Sequence, residues 1–482
     1  MQSAGDGVPA PGPANEPGPA EDTLVVEEPL LRVSGDARPA DGGTLAAGGT
    51  PASLPAPPAG RLAWLDALRG FAALCVVFDH ASGLVLYRLH QFLYQWFDFG
   101  RYGVFVFFMV SGYIIPASLE RKGSVREFWI GRAFRLYPLY ALSIAAVAVM
   151  YFLGLGTGYG AQRDWLRSVT SWPAMIPNFL SGPNVPNVTW TLSYEMAFYL
   201  LLAALFTVRA HRHSGSYALA CGIIVCAVGG KLPMNMLDHG RGIVDPTTVN
   251  VVIDVLVLAG VGLAVAAARG SALSHAGSWL AALICLFVLT VNQNGYPYPW
   301  SAYSILAFMF TGTLVYRAEQ GQARKLEAAM AAAAVVTMTV AGAFWWGTRY
   351  PTWNLGTQWH YQYFTSVAGA ALTFAAGLAL RHRRFPRVMS WLGMISYSVY
   401  MTHPLVINAY ASIPALAARG KPLWLQALLA LALLAVIVSL AAVTYYFVEK
   451  PMQRLGRRVA RRYRDPAGPA PALGAPNARP AG

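Results

Sequence analysis

Charge is what this 482-residue chain has least of: Asp, Glu, Lys and Arg make up 12% of it, against 56% hydrophobic residues. That balance excludes an ordinary soluble enzyme, in which about a quarter of the residues are charged. Cysteine is scarce as well. The four present, Cys75, Cys221, Cys226 and Cys285, fall inside apolar stretches without metal-ligand spacing, which argues against a disulfide scaffold and leaves no metal expected. Residues 1–60 contain no basic n-region followed by an apolar h-region, so no signal peptide is read there. Their Pro, Ala and Gly content reads instead as a disordered tail. A convincing inverted repeat is also missing, which weighs against one common transporter architecture.

What the chain has in quantity is apolar sequence of membrane-spanning length, roughly 20 residues per run. Twelve runs are read, at 62–87, 102–119, 133–154, 190–208, 216–231, 248–268, 277–291, 299–317, 328–347, 363–380, 391–413 and 423–448. The expected fold is all-α, a polytopic transmembrane bundle of about twelve helices, with ten or eleven also compatible because several runs are short. The net charge of +14 is distributed as membrane orientation requires rather than as a nucleic-acid patch. If the first run crosses from the cytoplasm outward, the inner loops hold most of the Lys and Arg, which places both termini in the cytoplasm. The organisation expected is a tail over 1–60, a membrane domain over 61–451, and a basic then Pro/Ala-rich disordered tail over 452–482. Residence in a bacterial inner membrane follows from the helices and the Ala- and Gly-rich composition.

Ionisable residues inside such runs are costly and mark candidate sites. Arg69 and His80 lie eleven residues apart in the first run, almost three turns and roughly 16 Å along one helix face. Asp66 can pair with Arg69 from the same face, and Asp79 precedes His80. Arg132 and Arg135, three apart at the inner edge of the third run, can grip a phosphate-bearing ligand, although the orientation rule alone also puts basic residues there. In the fourth run Glu195 lies about one and a half turns below the outer surface, near the depth of His80, where it can orient an imidazole, hold a proton or join helices together. Ser396, Tyr397, Tyr400 and His403 interrupt the eleventh run. Ser111 and Gly112 allow close helix approach in the second.

In this order the motifs LDALRGFAALCVVFDH, FFMVSGY, the Arg132/Arg135 pair, WTLSYE and SYSVYMTH resemble the integral-membrane acyltransferase 3 family, over roughly Arg61 to Pro451. That family includes O-antigen, peptidoglycan and macrolide O-acyltransferases. The resemblance implies His80 as catalytic base, Arg69 as its companion, Arg132 and Arg135 as acyl-donor contacts, and roles for Trp190 and Glu195. Twelve runs depart from the ten helices usual for the family core. No hydrolase-like domain follows the last run, so a second transfer step is expected to need another protein.

The reaction expected is transfer of an acyl group, acetyl first, from acyl-coenzyme A at the cytoplasmic side to a hydroxyl of a carbohydrate or glycosylated metabolite. His80 serves as general base, with Asp79 or Glu195 orienting its ring. Arg69, Arg132 and Arg135 hold the donor, and Ser111, Trp190, Tyr397 and His403 are the candidate substrate contacts. Trp165, Trp172, Trp353 and Trp359 in outer loops can stack on sugar rings or serve as interfacial anchors. No permanently bound cofactor and no nucleic-acid partner is expected. The competing function is a transporter or flippase for a polar or lipid-linked substrate, because intramembrane charge also marks transport pathways.

Overall fold

The computed structural model describes residues 63–155, 169–180, 182–233, 236–237, 245–292, 300–349 and 359–463. Among them every long element is a helix and there is no strand. In chain order these are α1 (Ala63–Val85), α2 (Tyr87–Tyr94), α3 (Phe99–Lys122), α4 (Val125–Phe152), α5 (Trp190–Thr207) and α6 (Ser214–Val228). They continue with α7 (Pro246–Ala266), α8 (Ala272–Val291), α9 (Ser301–Glu319), α10 (Lys325–Arg349), α11 (Trp359–Ala379), α12 (Arg387–Met394), α13 (Ser396–Ala411), α14 (Leu423–Thr444) and α15 (Lys450–Arg462). A π-helical turn, Tyr445–Glu449, joins the last two. The tail expected over 1–60 lies outside the described residues.

All twelve predicted runs contain a helix. Nine helices among the described residues are long and apolar enough to cross a membrane, and α9, α11 and α13 fall outside that group. The boundaries depart from expectation in three informative places. The third run begins at Val125 instead of 133, because Gly123 ends α3 with φ 62° and Ser124 caps α4 by accepting from the Glu127 N–H, a cap that sequence signals of this kind encode. Arg132 and Arg135 therefore sit about two and three turns inside α4 rather than at its edge. The eleventh run is split at Ile395 into α12 and α13. Finally, the basic segment expected to begin a tail at 452 is helical to Arg462.

Small residues set how closely the central helices approach. Gly112 of α3 and Gly312 of α9 each face the other helix's backbone: a Cβ at Gly112 would meet Met309, and one at Gly312 would meet Met109. Thr313 Oγ1 donates to the Gly112 carbonyl at 2.8 Å across the same crossing. Such backbone contact replaces the hydrophobic drive that helices lack in lipid. Gly70 of α1 and Gly393 of α12 meet in the same way, with a Cβ at Gly70 falling 2.8 Å from the Gly393 nitrogen. These contacts hold α1, α3, α9 and α12 as one core, against which α11 and α13 also pack.

Gly112→Leu is expected to prevent this assembly, because overpacking already costs about 1–3 kcal/mol where side chains can yield and a backbone cannot. Size-exclusion chromatography of the solubilised protein tests it. A wild-type elution profile at wild-type yield would show that α3 and α9 do not meet here.

Candidate active site

A cavity enclosing roughly 740 Å³, its open mouth included, lies between α1, α3, α4, α5 and α13. Seven of the residues singled out in the sequence line it: Arg69, Ser111, Arg132, Arg135, Glu195, Tyr397 and Tyr400. The remaining wall is apolar or weakly polar, with Val104, Phe107, Phe108, Leu192 and Thr191 among it. Three guanidinium groups against one carboxylate make the wall net cationic, and the apolar remainder limits screening by water.

Arg132 and Arg69 have direct partners in this apolar setting, and Arg135 lies within the fields of nearby carboxylates. Arg132, 7% exposed, lies over the rings of Phe128 and Tyr199 with its guanidinium carbon 5.3 and 5.1 Å from the two centroids. Such stacking suits the weakly hydrated guanidinium. Its Nη1 is 3.5 Å from the Tyr199 hydroxyl, which in turn donates to Glu195. Arg69 faces Asp66 at 3.8 Å. The carboxylates whose fields reach Arg135 are Glu449, Glu195 and Asp66.

Glu449 was not legible as a site residue. It is 2% exposed, accepts from Ser398 Oγ at 2.8 Å and from Gln453 Nε2 at 2.9 Å, and its charge faces Arg135 and Arg69. In the sequence it stands one residue beyond an apolar run, beside Lys450, where a carboxylate reads as an ordinary helix end. The π turn that contains it supplies the missing signal, since π-bulges concentrate at functional positions.

His80 lies outside the cavity wall. Its side chain is exposed, and its Nδ1 is 2.9 Å from Nε2 of His403, with the two rings nearly parallel and their centroids 5.1 Å apart. His403 is fully buried and its Nδ1 lies 3.1 Å from the Val399 carbonyl. The partner of the His80 ring is thus His403, in place of the expected Asp79 or Glu195. Successive helix residues point about 100° apart, so Asp79 turns away from His403 and lies against Gly100 at the start of α3. Glu195 is engaged by Tyr199, one turn along its own helix, and belongs to the arginine cavity.

Tyr400 connects the two regions. It lines the cavity, its ring is 5.9 Å from that of His403, and its hydroxyl accepts from Thr191 Oγ1 at 2.8 Å and donates to Val188 at 3.2 Å. Tyr397 lines the cavity while donating to the Leu136 carbonyl at 2.9 Å. Trp190 stands edge-on to Tyr194 at 5.9 Å and does not reach the cavity wall. Of the loop tryptophans, Trp172 is half-buried and Trp359 is buried at the start of α11, whereas Trp165 and Trp353 lie outside the described residues.

Fold and site together define a multi-pass helical membrane protein with a cationic internal cavity flanked by an imidazole pair. The acyltransferase domain of the acyltransferase 3 family matches residues 62–446, and the chain belongs to that family. It is 30% identical over 174 residues to nodulation protein 10 of Rhizobium leguminosarum bv. viciae, covering 32% of this chain and 47% of that protein. It is 34% identical over 149 residues to the acyltransferase MdmB of Streptomyces mycarofaciens, covering 29% and 38%. With the O-acetyltransferase OatA of Staphylococcus aureus the identity is 30% over 165 residues, covering 31% and 25%. In each case the match spans less than half of the relative's length. No solved structure matches the chain.

Proposed function

We propose that the protein transfers an acyl group, acetyl in the first instance, from acyl-coenzyme A to a hydroxyl of a carbohydrate or glycosylated metabolite. The observation that carries this reading is the cavity in which Arg69, Arg132 and Arg135 converge, one tyrosine ring away from His80 and His403. Planar guanidinium forks match phosphate oxygens two at a time, so the cavity suits the phosphates of the donor. The arginines enter from the cytoplasmic side, with both termini there. The acyl thioester then extends toward Tyr400 and the imidazole pair, and the acceptor arrives from the opposite side, where His80 is exposed.

In the reaction His80 Nε2 takes the acceptor's hydroxyl proton as that oxygen attacks the thioester carbonyl carbon. The carbon–sulfur bond breaks, and the coenzyme thiolate leaves and recovers the proton from the imidazolium. A positioned base of this kind contributes roughly 10²–10⁴-fold. OatA is named an O-acetyltransferase and MdmB an acyltransferase, which supports the reaction class. The setting is a bacterial inner membrane.

The test supplies carbon-13-labelled acetyl-coenzyme A to membranes containing the full chain, followed by mass spectrometry of surface glycans and glycosylated metabolites. A labelled acetyl increment that requires the protein is the expected result. Movement of a polar substrate across vesicles without any donor, and no label transferred, would replace this reading by the transporter.

A further inference from the structure

We propose that His403 is a positioning residue that fixes the tautomer of His80, and so decides which nitrogen of His80 is free to act as base. This rests on the reading of His80 as the base in acyl transfer. A backbone carbonyl can only accept a hydrogen bond. Val399 O lies 3.1 Å from His403 Nδ1, so that nitrogen carries its proton. His403 is 0% exposed, and its ring nitrogens face the Val399 carbonyl and His80, neither of them a carboxylate. A second proton would bury an uncompensated charge, which is strongly disfavoured. Neutral His403 therefore presents a lone pair at Nε2.

That lone pair is 2.9 Å from Nδ1 of His80, and a bond at this distance needs one proton. His80 must supply it, so its Nδ1 is the protonated nitrogen and its Nε2 is bare. The proton positions are thus set in series, from carbonyl to buried ring to exposed ring. The near-parallel rings, tilted by 16°, keep His80 in one orientation while its outer nitrogen remains open to a hydroxyl. When His80 accepts the acceptor's proton at Nε2, its Nδ1–H becomes a stronger donor, and the bond to His403 tightens as charge develops. The arrangement uses a neutral acceptor where a carboxylate holds the histidine in a Ser-His-Asp triad.

Two elements bring the pair together, α1 and α13, and the sequence separates the two residues by 323 positions. The Val399 carbonyl is one turn before His403 on the same helix.

The test compares His403→Gln, whose amide oxygen can replace the Nε2 lone pair, with His403→Phe, which fills the volume without an acceptor. Both are measured as the full chain in membranes at matched levels, with His80→Ala alongside. His403→Phe is expected to lower kcat about 10- to 100-fold, part of the contribution of a positioned base, while the KM for acyl-coenzyme A stays within about twofold because His403 is not in the cavity wall. His403→Gln is expected to recover most of the loss. Unchanged donor KM shows that the variants fold. Wild-type kcat in His403→Phe, or equal loss in both variants at unchanged donor KM, overturns the proposal while leaving His80 as base. If His403→Phe does not fold, the Gln variant decides, since a kcat as low as that of His80→Ala would sink the idea. Full transfer by His80→Ala would instead remove the reading on which it rests.

Discussion

His80→Ala is expected to reduce transfer about 10²–10⁴-fold, the range that a positioned general base contributes, with little change in the KM for acyl-coenzyme A. The split follows from geometry, because His80 is outside the wall that holds the three arginines. Steady-state rates in membranes carrying matched amounts of protein give both constants. His80→Asn is the sharper variant. Its amide nitrogen can still donate to His403 from near the position of Nδ1, so the buried ring keeps its partner, yet nothing replaces the outer nitrogen. Equal loss in the two variants locates the effect at Nε2. Transfer within about twofold of wild type in either would rule out base catalysis by this residue.

The second large effect is expected in the cavity. A hydrogen bond to a charged group is worth about 1.5–3 kcal/mol, so losing the contacts of one arginine should weaken donor binding roughly 10- to 100-fold. Arg132→Ala together with Arg135→Ala should lower kcat/KM by about 10²–10⁴, mostly through KM. The two positions differ in what they leave behind. Removal of Arg132 frees the faces of Phe128 and Tyr199 but strands no charge at Glu195, which keeps the Tyr199 hydroxyl. Removal of Arg135 leaves Glu449 buried with one cation fewer, a loss that can destabilise by several kcal/mol in its own right. Pairing Arg135→Ala with Glu449→Gln separates the two effects. Equilibrium binding of acyl-coenzyme A to the solubilised protein is the direct readout, and undiminished affinity in the double arginine variant would show that the donor binds elsewhere. Arg132→Lys should fall between, since an ammonium keeps the charge but cannot fork.

Several site residues were readable because cost makes them conspicuous. Arg69, Arg132, Arg135 and Glu195 interrupt apolar sequence in which charge is expensive, and the cavity gathers all four. Glu449 and Tyr199 escaped for the opposite reason: one stands at the end of a run where charge is ordinary, the other is an aromatic in an aromatic-rich helix. Depth was the weaker inference. Residue spacing puts Glu195 and His80 at a similar level, but Glu195 faces the arginines and His80 faces α13. The start of α4 illustrates the same point, since the Ser124 cap begins the helix before both Arg132 and Arg135 and leaves neither at its edge.

The sequence by itself determined that its long apolar runs are helical, the all-α class, the family and the identity of the costly side chains. These properties are one-dimensional, because hydrocarbon thickness sets run length and burial cost makes each polar interruption stand out. Only the tertiary structure decided that His80 meets His403, that Glu195 joins the arginines through Tyr199, and that the charge of Glu449 reaches Arg135. Those pairings depend on how each helix is rotated about its axis and how closely glycines such as Gly112 and Gly393 let backbones approach. In an apolar solvent that offers no hydrophobic drive, such contacts are selected by packing between helices distant in the chain.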